Sequence, residues 1–277
     1  MSNNGKQIAA LLTVHNRKEK TLSCLNRLFS QKMPQDIFLT VYLTDDGCTD
    51  GTKESVTKLF PQVNIVYGDG SLYWNRGMYM AWNEAAKRDY DYYLWLNDDT
   101  FLYDNTLSKL LETSYSHQDN AIVVGATSAI GQTSDITYGG YIDGKLIIDV
   151  SRESKCNTFN GNIVLIPQYV FKTIGTNDPY YRHSLGDMDY GLMACKNGIE
   201  IWIAQGVMGE CDCHDKPSVW MDPSQPFMKR WKNYFSPTGR NPFEFFYFRK
   251  KHFGFLAACK TFVSNFIHFL FPTFWKI

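Results

Sequence analysis

The chain has 277 residues, 44% of them hydrophobic and 16% aromatic, and its 28 Lys and Arg balance 28 Asp and Glu. That length accommodates one large α/β domain or a domain with a tail, and a net charge of zero excludes a global field drawing the chain to nucleic acid. No stretch is long and apolar enough to span a bilayer: the nearest, Phe253 to Ile277, is broken by Lys260, Asn265, His268 and Pro272.

The seven Cys are odd in number and scattered, and the polar start Met1–Gln7 leads directly into a strand. A reduced, cytoplasmic setting without a signal peptide is expected. Cys211-Asp212-Cys213-His214 lacks the second ligand pair that a structural zinc site needs. The aromatic residues read first as core, and only second as sugar-stacking or membrane-facing surface.

Ile8–Val14 reads as a buried strand. A helix follows from about Lys18 to Gln31, with Leu22, Leu25, Leu28 and Phe29 on one face. Ile37–Leu43 is a second strand, ending at Asp45-Asp46-Gly47, and Asp50 with Gly51 starts a helix to about Phe60. Asn64–Tyr67 is a short third strand. Asn75 reads as the cap of a helix carrying Met78, Trp82, Ala85 and Ala86. Tyr92–Leu96 is a fourth strand, which runs into Asn97-Asp98-Asp99.

Short apolar strands alternating with helices predict a mainly parallel sheet covered on both faces. Functional residues should then gather at the carboxyl ends of the strands. After about residue 120 the rhythm changes: Ala121–Ala126 is strand-like, Tyr138–Val150 suggests a hairpin, and Asn162–Ile166 is a strand after which Pro167 starts a helix. A helix over Asp187–Asn197 closes at Gly198, and Ile199–Ala204 and Val207–Cys213 read as two final strands. From about Pro226 the sequence turns aromatic and basic, with helical character.

Neither the GxGxxG spacing nor a GxxxxGK[ST] loop occurs, which weighs against a dehydrogenase or a P-loop enzyme. What stands out is paired carboxylates at strand ends. A turn with a capping residue explains Asp50 and Gly51 but not Asp45-Asp46, whose carboxylates suit the N–H of a base or ribose hydroxyls. Asp98-Asp99, delivered by a strongly apolar strand, repel each other and need compensation by water, a basic side chain or a metal. Hard cations such as Mg2+ or Mn2+ choose carboxylate oxygens and often share them with substrate phosphates. Asp187 and Asp189 begin a helix. Capping accounts for one of them, which leaves the other as a candidate base.

In this order, Thr13–Arg17 (TVHNR), Thr44–Thr52 (TDDGCTDGT), Trp95–Thr100 (WLNDDT) and Gly186–Gly198 (GDMDYGLMACKNG) resemble the family 2 glycosyltransferases, inverting nucleotide-sugar enzymes of GT-A fold. The resemblance covers roughly residues 7–215, and is nearest to the bacterial branch that builds O-antigen, capsule and other surface polysaccharides, rhamnosyltransferase-like members included. It implies a GT-A domain over residues 1–225, with a nucleotide-binding half to about 120 and an acceptor half after it, followed by a helical extension over 226–277.

The resemblance also implies roles. Thr13, His15 and Arg17 would border the nucleotide, and Asp45 or Asp46 would contact a uracil or thymine base. The segment holding Asn75 and Arg76 would place the nucleotide sugar. Asp99 would ligate Mn2+ or Mg2+, Asp98 would hold ribose or support the metal site, and Asn97 replaces the first Asp of the family's DxD motif. Asp187 matches the general base, and His214 lies where some members place a metal or phosphate contact. The implied partners are a nucleoside diphosphate sugar and a saccharide or lipid-linked acceptor, with no nucleic acid. The aromatic, basic tail reads as a peripheral contact with the cytoplasmic face of the inner membrane, as a helix packed on the catalytic domain, or as a homodimer contact.

Two other functions fit less well. A sugar nucleotidyltransferase carries a Gly-rich loop after its first strand, and Thr13–Lys20 contains no glycine. A non-catalytic carbohydrate-binding protein needs no carboxylate where Asp187 stands.

Overall fold

A computed structural model describes residues 5–213 and 218–272. The first half alternates strand and helix: β1 (Lys6–Val14), α1 (Lys18–Phe29), β2 (Ile37–Asp45), α2 (Thr52–Leu59), β3 (Asn64–Tyr67), α3 (Tyr73–Ala85) and β4 (Tyr92–Leu96). The second half adds β5 (Phe101–Leu102), α4 (Thr106–Ser116), β6 (Ile122–Ser128), β7 (Ile136–Tyr138), β8 (Gly140–Ile142), β9 (Lys145–Leu146), β10 (Ser154–Cys156), β11 (Thr158–Phe159), β12 (Ile163–Pro167), α5 (Gln168–Ile174), α6 (Gly186–Lys196) and β13 (Ile201–Glu210). Three helices follow: α7 (Phe227–Tyr234), α8 (Pro242–Phe253) and α9 (Phe255–Leu270).

The main sheet runs β10-β13-β6-β12-β4-β1-β2-β3, with β5 and β7 attached to β13 and β6. β1, β2, β3 and β4 are mutually parallel, as is β13 with β6. This is the α/β GT-A architecture that the sequence predicts, a mostly parallel sheet flanked by helices. The exception inside it is β12, antiparallel to both β4 and β6. A strand buried on both faces is apolar at every position, so its direction leaves no trace in its composition.

Two sequence expectations are corrected. The two final strands are one, β13, whose register with β6 shifts between Ile203 and Val207 and again before Gly209. The polar Gln205-Gly206 at that irregularity breaks the apolar run and mimics a turn. Asn75 does not cap α3: the helix begins two residues earlier, and the Asn75 side chain lies inside the protein. The expected hairpin forms as β8–β9, turning at Asp143-Gly144, both at positive φ.

One core layer, between the sheet and α1 and α4, is aliphatic, with Leu12, Leu25, Leu43, Leu94 and Leu110 fully buried. The other, under α3 and α6, is aromatic: Trp95 lies against Trp74, Trp82 and Tyr190 with ring centroids 5.7, 5.5 and 5.2 Å apart. That cluster ties the end of β4 to both helices that flank the cleft. Part of the aromatic surplus is therefore core.

Candidate active site

β1, β2 and β4 are parallel and in register, Val14 opposite Asp45 and Leu11 opposite Trp95, so their carboxyl ends open on one edge of the sheet. Because β12 is antiparallel, its beginning reaches that same edge, and the Asn97 N–H donates to the Asn162 carbonyl at 3.1 Å. The cleft thus collects residues following three strands and preceding a fourth. It has two compartments. One, of about 390 Å³, is lined by Asn97, Asp99, Gly161, Leu185, Asp187 and Phe245 among others. The other, of about 330 Å³, is lined by Thr13, His15, Asp46, Tyr73 and Thr238. Arg17, Trp74 and His183 line both, forming the waist of one cleft.

Arg17 answers the charge problem of the acidic pair. Its guanidinium donates to Asp99 Oδ2 at 2.8 Å and to Asp98 Oδ1, one fork spanning two carboxylates. Thr21 Oγ1 adds a bond to Asp98 Oδ2 at 3.2 Å. Asp98 is only 1% exposed. Burial outweighs Arg17 and, with the neighbouring Asp99 charge, lifts its pKa from the ordinary 3.8 to about 7. Asn97 Oδ1 accepts from Trp74 Nε1 at 2.7 Å. A carboxylate at that position would put a third negative charge where one guanidinium already serves two.

Among the described residues no three His, Cys, Asp or Glu converge into a ready-made metal cage. Asp99 Oδ2 is held by Arg17, whereas Asp99 Oδ1 lies 3.9 Å from Cys211 Sγ. Burial pushes the Cys211 thiol up to about 12, so without a cation it is a protonated neighbour. One open carboxylate oxygen fits a divalent cation that takes its remaining ligands from a diphosphate, and does not fit a cation held by the chain alone. His214, the other expected ligand, lies outside the described residues.

Across the cleft, Asp187 sits in the first turn of α6. Its Oδ2 accepts from the Gly161 N–H at 3.1 Å and its Oδ1 from the Met188 N–H at 2.8 Å, which fixes the carboxylate against the start of β12. The carboxylate faces the cleft from a partly buried position, and burial raises its pKa above the ordinary value against those two bonds. Leu185 enters this turn at φ +74°, and Tyr73 and Asn16 at the cleft rim are also left-handed. For bulky side chains such a conformation is strained, and is kept only where the surroundings impose it.

Asp189, two residues on, faces away. It is buried and accepts from Tyr181 Oη at 2.9 Å, Lys251 Nζ at 2.8 Å and His252 Nε2 at 2.7 Å. Lys251 also reaches Asp178, and Arg182 Nε donates to Glu244 at 2.7 Å. α8 therefore holds the 178–189 segment by side-chain bonds, and Phe245 of the same helix enters the cleft.

The other expected site residues divide. Thr13 and His15 line the second compartment, His15 with Nδ1 2.6 Å from the Asp46 carbonyl. Asp46 lines it too, but its carboxylate accepts from the N–H groups of Gly70, Leu72 and Tyr73 and shapes that loop. Asp45 holds its own turn through the Cys48 N–H at 2.8 Å. Asn75 is fully buried, donating to the carbonyls of Asp178 and Tyr181 and accepting from Asn177. Arg76 Nε donates to the Pro179 carbonyl at 2.9 Å. Asp45, Asn75 and Arg76 thus line neither compartment. Sequence reasoning missed Trp74, His183 and Phe245. Only Trp74 carried a local signal, as a large aromatic in the first turn of a helix that opens at a strand end.

The sequence model of glycosyl transferase family 2 matches residues 10–175, a span that holds the whole Arg17–Asp98–Asp99 wall. The chain belongs to glycosyl transferase family 2. No curated protein matches it in a sequence search. The fold is similar to the crystal structure of S. aureus TarS 1–349 in complex with UDP, at 14% identity and a TM-score of 0.54, covering 74% of this chain and 60% of that one. It is also similar to a longer S. aureus TarS crystal structure, at 13% identity and a TM-score of 0.57, covering 86% of this chain and 45% of that one. This family member therefore spans between about half and three-fifths of the length of those TarS chains.

Proposed function

We propose that this member of the family is an inverting glycosyltransferase. It moves a sugar from a UDP- or dTDP-type donor to a hydroxyl of a saccharide or lipid-linked acceptor, in surface polysaccharide synthesis. The observation that carries the reading is the opposition, in one compartment, of the Arg17–Asp99 wall and the isolated Asp187 carboxylate. The TarS structure with UDP supports a nucleoside diphosphate ligand on this fold.

The diphosphate lies at the waist, where Arg17 provides a planar donor for phosphate oxygens. A divalent cation, when bound at Asp99 with the diphosphate, supplies further positive charge against the departing group. Asp187 accepts the proton of the acceptor hydroxyl as its oxygen attacks the anomeric carbon from the face opposite the diphosphate. Its raised pKa makes it a stronger base, and the Gly161 and Met188 N–H groups keep it oriented. Trp74 and Phe245 narrow the compartment and exclude water that would otherwise compete with the acceptor.

Asp187→Asn should reduce transfer by on the order of 100- to 10,000-fold while nucleotide-sugar affinity stays within error of wild type. Turnover near wild type in a nucleotide-release assay with UDP- and dTDP-sugars would sink the assignment. Calorimetry tests the cation: Mn2+ should bind weakly alone, tighten UDP binding to the wild type, and have no effect on UDP binding to Asp99→Ala.

A further inference from the structure

α9 is apolar on two sides. Ala258, Asn265 and Phe269 are buried against the rest of the C-terminal helices, where Phe269 stacks on Tyr234 at 4.7 Å. The opposite side carries Leu256, Val263, Ile267 and Leu270 at helical spacing, exposed by 84, 56, 43 and 41%, with Lys260 in the same stripe. Phe253 and Phe255, on either side of the Gly254 bend between α8 and α9, are exposed by more than half. A contiguous apolar strip of this kind is kept in water only when something covers it.

Charge says what covers it. Residues 226–272 hold eight Lys and Arg against a single acid, Glu244, a net of +7. The rest of the chain holds twenty against 27, a net of −7, so the zero total conceals a segregated molecule. Some of these cations are used internally: Arg230 donates to the carbonyls of Trp220 and Phe269, and Lys251 pairs with Asp178 and Asp189. Lys229, Lys232, Lys250 and Lys260 are exposed. A second copy docked face to face would set +7 against +7, so the patch disfavours its own kind and suits a broad anionic surface.

The helix has 16 residues, about 24 Å at 1.5 Å per residue, too short to cross a hydrocarbon core of about 30 Å. Among the described residues no helix is long and apolar enough to cross a membrane. Apolar side chains along one exposed helix face, with Lys260 among them, fit a helix lying in the plane of the headgroups.

We propose that the outer face of α9, with Lys260 in its stripe and carried on this basic C-terminal segment, docks on an anionic lipid bilayer. Docking sets the cleft close to the lipid: Phe246 of α8 lies edge-on to Phe255 and Phe262 of α9 at 6.0 Å, while the adjacent Phe245 lines the cleft. α8 thus touches α9 and contributes to the lining of that cleft. The inference stands independently of the transferase reading, because binding is measured without turnover.

The test is co-sedimentation of the full chain with vesicles of phosphatidylcholine, with and without phosphatidylglycerol. The chain should pellet with the phosphatidylglycerol vesicles and be released by high salt. Leu256→Glu/Val263→Glu/Ile267→Glu should abolish pelleting, and Lys250→Ala/Lys260→Ala should weaken it by about tenfold or more. Circular dichroism should match wild type for both variants, and the lysine pair touches nothing the fold depends on. The proposal is overturned if the wild type stays in the supernatant, pellets equally with both vesicle types, or is unaffected by the lysine variant. It is equally overturned if sedimentation velocity shows a wild-type dimer that the triple variant dissolves while vesicles bind neither protein.

Discussion

The two walls of the cleft are built by different means. The Arg17–Asp98–Asp99 wall stands on strand ends that are fixed by backbone ladders, β1 pairing with both β2 and β4. Its side chains are therefore free to face one another and a ligand. The Asp187 wall stands on a loop and the first turn of α6, without a ladder beneath them. There the side chains do the holding: Asn75, Asn177, Arg182 and Asp189 are spent on carbonyls and ion pairs, and Asp187 is left turned to the cleft. Where the backbone fixes a wall, carboxylates can be kept for chemistry. Where it does not, most polar groups become scaffolding.

This contrast breaks if removing scaffolding charge on the second wall costs no more than removing a surface charge. The largest expected effect is nevertheless on the first wall, as a pH dependence. The Asp98 pKa is raised in the folded state to about 7, so the native protein binds an extra proton between the unfolded value and that point. Its contribution is fully present below about pH 4 and is lost as pH rises to about 7, by up to about 4 kcal/mol. Asp98→Asn should remove that loss. Urea denaturation should place the variant level with wild type at pH 4 and above it at pH 8, and a pH-independent difference would refute the account.

Next comes Lys251→Met, which leaves Asp178 and Asp189 facing each other without their cation. Breaking such a partly buried pair should cost about 3 kcal/mol in denaturant titration. It should also lower turnover more than substrate affinity, because it loosens the turn that holds Asp187; unchanged kinetics would mean that α8 is decoration. The smallest effect is the control. Glu84→Ala removes an exposed i,i+3 pair with Lys87 and should change stability by less than about 0.5 kcal/mol.

The first wall was legible in the sequence, because its physics is local. Apolar runs ending in Asp45-Asp46 and Asn97-Asp98-Asp99 announce parallel strands with charged carboxyl ends, and the helices fell within a few residues of their bounds. The partner of that charge was less legible. Arg17 is 82 residues from Asp99, and nothing near either residue pairs them. Asn75 was misread as a cap because a polar residue at a helix start looks the same whether it caps the helix or bonds a buried carbonyl. The second wall was largely hidden. Asp187 and Asp189 share one turn of sequence, and only the arrival of Lys251 and His252 from α8 separates the carboxylate that lines the cleft from the anchor. The β13 irregularity and the direction of β12 were unreadable, since composition records burial and not pairing.

The clamp from α8 has a consequence in time. His252 lies 63 residues beyond the Asp189 it binds. A ribosome adding about 5 to 20 residues per second needs roughly 3 to 13 seconds to travel that distance. Through that interval the turn bearing Asp187 waits for its fastener. Every residue of the first wall is made before the second can be fastened.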